Sequence, residues 1–222
     1  MIPRAVLFDL DGTLIDSVPL IVESMLHAFA GRRRAPTVEE WVARIGTPLE
    51  GMIREWAEDE ADLAALKERY KEHQRAHHDR SVRAFPGVPE LLDALSARGA
   101  AMAVVTSKLE SSAERSLAFL GLGRHFRAVV GLEATARHKP DPEPVRHALS
   151  VLAVASADAA FVGDSPHDVA AGNAAGVATV AGLWGPFSRE QFGAARPRAF
   201  ARTVDEVLPL LERLGREAGG GS

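Results

Sequence analysis

The chain has 222 residues, with 26 lysines and arginines against 30 aspartates and glutamates, a formal net charge of −4. At 46% hydrophobic and 25% charged it is an ordinary globular mix, which excludes intrinsic disorder and suits one large domain or a domain with an insert. The lack of any long basic run argues against nucleic acid as a partner, and zero cysteines exclude disulfides, thiolate metal sites and cysteine nucleophiles.

No apolar run approaches the roughly 20 residues needed to span a bilayer. The opening Met1-Ile2-Pro3-Arg4 lacks the features of a signal peptide. The expectation is a cytoplasmic protein without a membrane partner, monomeric or homodimeric. Ala5-Val6-Leu7-Phe8 is a short apolar run that stops at Asp9 and is predicted to be a buried strand. From Val18 to Arg80 only helices are predicted, over 18–30, 38–45, 49–58 and 62–79. In the last, Leu63, Leu66 and Tyr70 make an amphipathic stripe. Here Trp41 and Trp56 read as core, Arg32-Arg33-Arg34 as an exposed loop, and His73 and His77 as a solvated face.

Near Val82 the strands resume, over 101–105, 126–130, 159–162 and 178–181, with helices at 89–98, 111–120, 143–152 and 204–214. Strands alternating with helices imply a doubly wound parallel α/β sheet. The boundaries fall at 1–15 and 82–222 for a Rossmann-like core and at 16–81 for an all-helical insert. The 219–222 tail, Gly-Gly-Gly-Ser, reads as disordered.

Ligands of such sheets bind beyond the carboxyl ends of the strands, and there the polar residues cluster. In Asp9-Leu10-Asp11-Gly12-Thr13, carboxylates at i and i+2 of an extended chain point the same way, roughly 6.5 Å apart. They repel unless a cation or proton lies between them. Alone, the pair divides evenly between a helix cap or Asx turn and a functional site. A calcium loop is rejected, since its sixth and twelfth positions would be Leu14 and Leu20. Thr106 and Ser107 follow the second strand, where a hydroxyl can simply satisfy backbone groups. A lone loop lysine such as Lys139 is usually solvated. Asp164 follows the fourth strand as a possible third carboxylate for a hard divalent cation such as Mg²⁺. Asp168 lies at a helix start, where a carboxylate also stabilises the N-terminus.

In their order along the chain, Asp-x-Asp-Gly-Thr, Thr-Ser-Lys, Lys-Pro and Gly-Asp-x₃-Asp resemble the haloacid-dehalogenase-like hydrolase superfamily, over about residues 1–15 and 82–212. The insert resembles that superfamily's α-helical cap, and Arg44-Ile45-Gly46-Thr47-Pro48-Leu49 is similar to the cap substrate loop of its phosphoglycolate phosphatase branch. The resemblance implies a Mg²⁺-dependent phosphatase acting on a small phosphorylated metabolite. Asp9 would be the nucleophile, Asp11 the general acid and base, and Thr106 and Lys139 the phosphoryl ligands. Gly12, Ser107, Arg44 and Gly46 would belong to the substrate site. Asp9, Asp11 (through its carbonyl) and Asp164 would hold the metal, with Asp168 orienting its waters.

An acid at Asp11 separates the chain from the superfamily's dehalogenases, whose leaving halide needs no proton. Phosphoglycolate is the favoured substrate, with pyrophosphate as the alternative. A sugar phosphomutase is a weaker alternative, since Ile21 stands where those enzymes carry a cap histidine. A receiver-like phosphate-accepting domain is the non-enzyme alternative, opposed by chain length and by the first-strand position of Asp9.

Overall fold

The computed structural model describes residues 1–219. The strands are β1 (Ala5–Phe8), β2 (Ile15–Asp16), β3 (Arg83–Ala84), β4 (Ala101–Val105), β5 (Ala128–Val130), β6 (Ala159–Gly163), β7 (Ala178–Gly182) and β8 (Ala199–Ala201). The helices are α1 (Val18–Ala28), α2 (Val38–Val42), α3 (Leu49–Arg54), α4 (Glu60–Ser81), α5 (Val88–Ala97), α6 (Glu110–Phe119), α7 (Glu143–Leu152), α8 (Pro166–Ala175) and α9 (Val207–Gly219). Six strands form one sheet in the order β5-β4-β1-β6-β7-β8, every neighbouring pair parallel.

Alternation along each strand sends successive side chains to opposite faces. Val6 and Phe8 of β1, Val104 of β4 and Val162 of β6 pack under Leu92 of α5, Leu117 of α6 and Leu211 of α9. Leu7, Ala103 and Phe161 face the other way, against Val145 and Leu149 of α7 and Ala171 of α8. A sheet covered on both faces needs strands that are apolar throughout, and the pattern of β1, β4 and β6 is buried at every position. The chain winds outward from β1 through β4 to β5, then returns to β6 on the far side of β1. That reversal opens a crevice at the carboxyl ends of β1, β4 and β6.

Between β2 and β3 run α1 to α4. Their own apolar cluster contains Met25, Trp41, Ile53, Leu63, Leu66 and Tyr70, so the stripe expected on α4 is buried. It continues into Val169, Phe187 and Phe192 of the sheet-bearing part. No helix among the described residues is long and apolar enough to cross a membrane.

Several elements depart from expectation. β2 and β3 pair antiparallel (Ile15↔Ala84, Asp16↔Arg83), a two-residue ribbon where the helical segment leaves and returns. Strand β8 extends the sheet beyond the last expected strand. Phe126 and Arg127 precede β5, α2 and α3 stop earlier than expected, and α4 runs two residues further at each end. Val204–Glu206 is a 3₁₀ turn leading into α9, whose last residue is Gly219. The remainder of the tail lies outside the described residues.

Candidate active site

Strand β1 ends at Phe8, and the amide of Asp9 still donates to the Val162 carbonyl at 2.9 Å, so the sheet itself aims Asp9 into the crevice. The chain then folds back, with the Leu14 and Ile15 amides both 3.0 Å from the Leu10 carbonyl. Gly12 makes this turn at φ +89°, and a Cβ there would lie 2.4 Å from Asp164 Oδ2. The turn therefore needs glycine for its conformation and for its proximity to the carboxylate. Thr13 Oγ1 donates to Asp164 Oδ1 at 2.6 Å, tying the first loop to the end of β6.

Lys139 is 3% exposed and spends its ammonium on Asp9 Oδ1 (2.7 Å), Asp168 Oδ1 (2.6 Å) and the Val105 carbonyl (3.2 Å). Asp168 is fixed in turn by Ser165, whose amide and hydroxyl both donate to its Oδ2, at 3.0 and 2.6 Å. Ser165 is also the N-cap of α8 and Asp168 its third residue, so a local capping box orients the carboxylate that holds the lysine.

Burial pushes the Asp9 carboxyl up to about 7; Lys139 counteracts this and Asp168 adds to it. Asp164 is raised well above its ordinary value, by burial first and then by Asp9 and Asp168. Burial opposes the charge on Lys139, but Asp168 and Asp9 outweigh it and hold the ammonium above its usual range. Perturbed groups crowded in a crevice mark a functional site.

One oxygen from each of Asp9, Asp164 and Asp168 lies within 4.8 Å of the others. Asp164 Oδ2 is buried without a hydrogen-bond partner among the described residues. A hard cation would satisfy that oxygen, and an all-oxygen donor set suits Mg²⁺. Both oxygens of Asp168 already accept hydrogen bonds, and the Asp11 carboxylate lies outside the three-carboxylate group. The residues present fit a metal held chiefly by Asp9 and Asp164.

Above this group opens a cavity of about 210 Å³. Asp9, Asp11, Thr106, Ser107 and Lys108 line one side; Ile21, Ile45, Gly46 and residues of α4 line the other. Asp11 Oδ1 accepts from Ser17 Oγ at 2.5 Å and Lys108 Nζ at 2.8 Å, while its Oδ2 makes no hydrogen bond among the described residues. Thr106 Oγ1 accepts from the Lys108 amide at 3.2 Å. Ser107 Oγ donates to the Gly46 carbonyl at 2.6 Å, joining the sheet's mouth to the helical segment.

The structure thus brings together Asp9, Asp11, Gly12, Thr106, Ser107, Lys139, Asp164, Asp168 and Gly46. It does not bring Arg44 there. That guanidinium binds the Glu40 carbonyl at 2.8 Å and pairs with Glu55, and the residue does not line the cavity. Sequence reasoning gave no role to Thr13, Ser17, Lys108 or Ser165. Thr13 and Lys108 stand inside motifs already singled out, but Lys108 meets Asp11 across 97 positions and Thr13 meets Asp164 across 151. Only the fold reveals those pairs.

The carboxylates crowded around one fixed lysine lie at the switch point of a doubly wound sheet, the crevice where proteins of this architecture bind their ligands. Residues 6–182 match the family of haloacid dehalogenase-like hydrolases, and the chain belongs to that family. It is 36% identical over 230 aligned positions to a phosphoglycolate phosphatase of Rhodospirillum rubrum, covering 99% of this chain and 94% of that one. It is 35% identical over 210 positions to a pyrophosphatase PpaX of Bacillus velezensis, covering 93% and 95%. The crystal structure of a hydrolase from Pseudomonas syringae shares the fold with a TM-score of 0.85 at 21% identity, over 95% and 98% of the two chains.

Proposed function

We propose that this haloacid dehalogenase-like phosphatase hydrolyses a small phosphate monoester through an aspartyl-phosphate on Asp9, with Mg²⁺, and that phosphoglycolate is the favoured substrate. The observation that carries the reading is the Lys139 bridge between Asp9 and Asp168 beneath an open cavity. Asp9 Oδ1 accepts the ammonium, and Oδ2 makes no hydrogen bond among the described residues, so it is available to attack phosphorus. A phosphate ester approaches a carboxylate only if their repulsion is cancelled. Lys139 supplies part of that cancellation, and Mg²⁺ held by Asp9, Asp164 and the Asp11 carbonyl would supply the rest.

The bond from Asp9 to phosphorus forms as the bond from phosphorus to the leaving oxygen breaks. Asp11 gives its proton to that oxygen. Asp11 then takes a proton from water, which attacks the phosphorus of the aspartyl-phosphate and frees Asp9. Ser17 and Lys108 hold Oδ1 of Asp11 and turn Oδ2 to this task. The Thr106 hydroxyl lines the cavity and would donate to the phosphoryl oxygens. Residues 16–81 serve as a cap over the core of 1–15 and 82–219, excluding bulk water during the first transfer. Ile21 lines the cavity and exchanges no proton, which weighs against phosphomutase chemistry.

Pyrophosphate is the second reading, favoured by the similarity to PpaX. Phosphate release from phosphoglycolate and from pyrophosphate, with Mg²⁺ and with EDTA, tests both. Release that needs Mg²⁺ is expected, and the ratio of the two kcat/KM values chooses the substrate. Full activity in EDTA would overturn the metal.

A further inference from the structure

We propose that the leaving group of the substrate carries an anionic group of its own, a carboxylate or a second phosphate, and that Lys71 on α4 binds it. This rests on the phosphatase reading and names the substrate class for the same site. Lys67, Tyr70, Lys71 and Gln74 recur at the spacing of one helix face and line the cavity across from Asp9 and Asp11. Much of the surrounding lining is aliphatic, from Ile21, Ile45, Leu49 and Met52. Lys71 is half-buried beside that surface, where an ammonium gains from meeting an anion.

Lys67 has its anion: the ammonium donates to Glu50 at 2.5 Å, and Glu50 also accepts from Arg54 at 2.8 Å. Gln74 is turned onto the Tyr70 hydroxyl at 3.2 Å. Lys108, on the opposite wall, is engaged by Asp11. Lys71 makes no hydrogen bond or ion pair among the described residues, so the cavity holds one cation whose counter-charge must come from the ligand or from solvent. The confined space restricts that ligand to a short acid or an inorganic phosphate. The reacting phosphate faces Lys139 at the floor, and the second anion faces Lys71 on the roof. An ester with an uncharged leaving group leaves the roof cation unmet.

The test uses the full chain and compares kcat/KM for 2-phosphoglycolate with that for 2-hydroxyethyl phosphate, its uncharged counterpart. A charge-assisted contact typically corresponds to roughly tenfold to a hundredfold. The parent should prefer the anionic ester by about that factor, mainly through KM. Lys71→Met should lower the preference severalfold, and Lys71→Arg should keep most of it. A thermal melt establishes that each variant is folded. Equal use of the two esters by the parent, or an unchanged preference in Lys71→Met, overturns the anion site and leaves the phosphatase reading standing. If only pyrophosphate is hydrolysed, a raised KM in Lys71→Met supports the site and an unmoved KM overturns it. No phosphate release from any of the three overturns the phosphatase reading, and the anion site with it.

Discussion

Asp9 and Asp164 share a space in which neither ionises freely, and this has a measurable sign. The Asp9 carboxyl is raised from 3.8 to about 7 in the folded, metal-free chain. Its contribution to stability is complete below the unfolded value and is lost as pH rises through the folded one. Lys139 is also raised, from 10.5, so its contribution stays constant over that window. Asp9→Asn removes the titration. In EDTA, the stability of this variant relative to the parent should therefore rise between about pH 5 and 7.5, as read by urea denaturation. A relative loss over that range would contradict the burial account of Asp9. Asp11 carries a second test. Removing a general acid typically costs roughly 10²–10⁴-fold, and most where the leaving oxygen is basic. In single-turnover experiments Asp11→Asn should slow phosphoryl transfer from an alkyl phosphate far more than from p-nitrophenyl phosphate. Equal losses would leave Asp11 with no role as an acid.

The helical segment meets the sheet's mouth through few polar contacts, and Ser107 makes one of them. Its hydroxyl reaches the Gly46 carbonyl, in a loop that Gly46 turns at φ +97°. Loss of one such hydrogen bond corresponds to about 1 kcal/mol. Ser107→Ala should raise KM by up to about fivefold and lower the stability of the chain by no more than about 1 kcal/mol; an unchanged KM would show that this contact does not help close the cavity. Elements of this size divide into those legible in the sequence and those not. The strands β1, β4 and β6 were legible because burial on both faces makes each an unbroken apolar run with a polar or glycine end, and β7 is interrupted only by Thr179. Strand β8 is only Ala-Phe-Ala, and β2 and β3 are two residues each. Segments that short carry no periodicity, and pairing with distant partners alone makes them strands. Arg44 shows the same limit at the site. Its neighbours in sequence suggested a ligand contact, but Glu55, brought round by α3, takes its charge first. Arg44→Ala should accordingly change kcat/KM by less than about threefold, the range of an exposed ion pair. A larger loss would return Arg44 to the site.

Across the whole molecule, an acidic chain of net charge −4 gathers Lys67, Lys71, Lys108 and Lys139 around one crevice. Such a local field can draw in anions that the surface as a whole repels. The doubly wound order makes this possible by bringing the ends of β1, β4 and β6 side by side, although Asp9, Thr106 and Asp164 are far apart in the chain. In the proposed mechanism everything assembled there serves one event, transfer of the phosphoryl group to Asp9. The direct measurement is to quench the enzyme within its first turnover, reduce it with borohydride, and map the peptides. An aspartyl-phosphate is reduced to homoserine, so homoserine at position 9 is the predicted result, more abundant in Asp11→Asn given p-nitrophenyl phosphate, whose leaving group departs without the acid while hydrolysis of the intermediate is slowed. Turnover of the ester with Asp9 never modified, in the parent or in Asp11→Asn, would contradict the account and leave water as the group that attacks phosphorus directly.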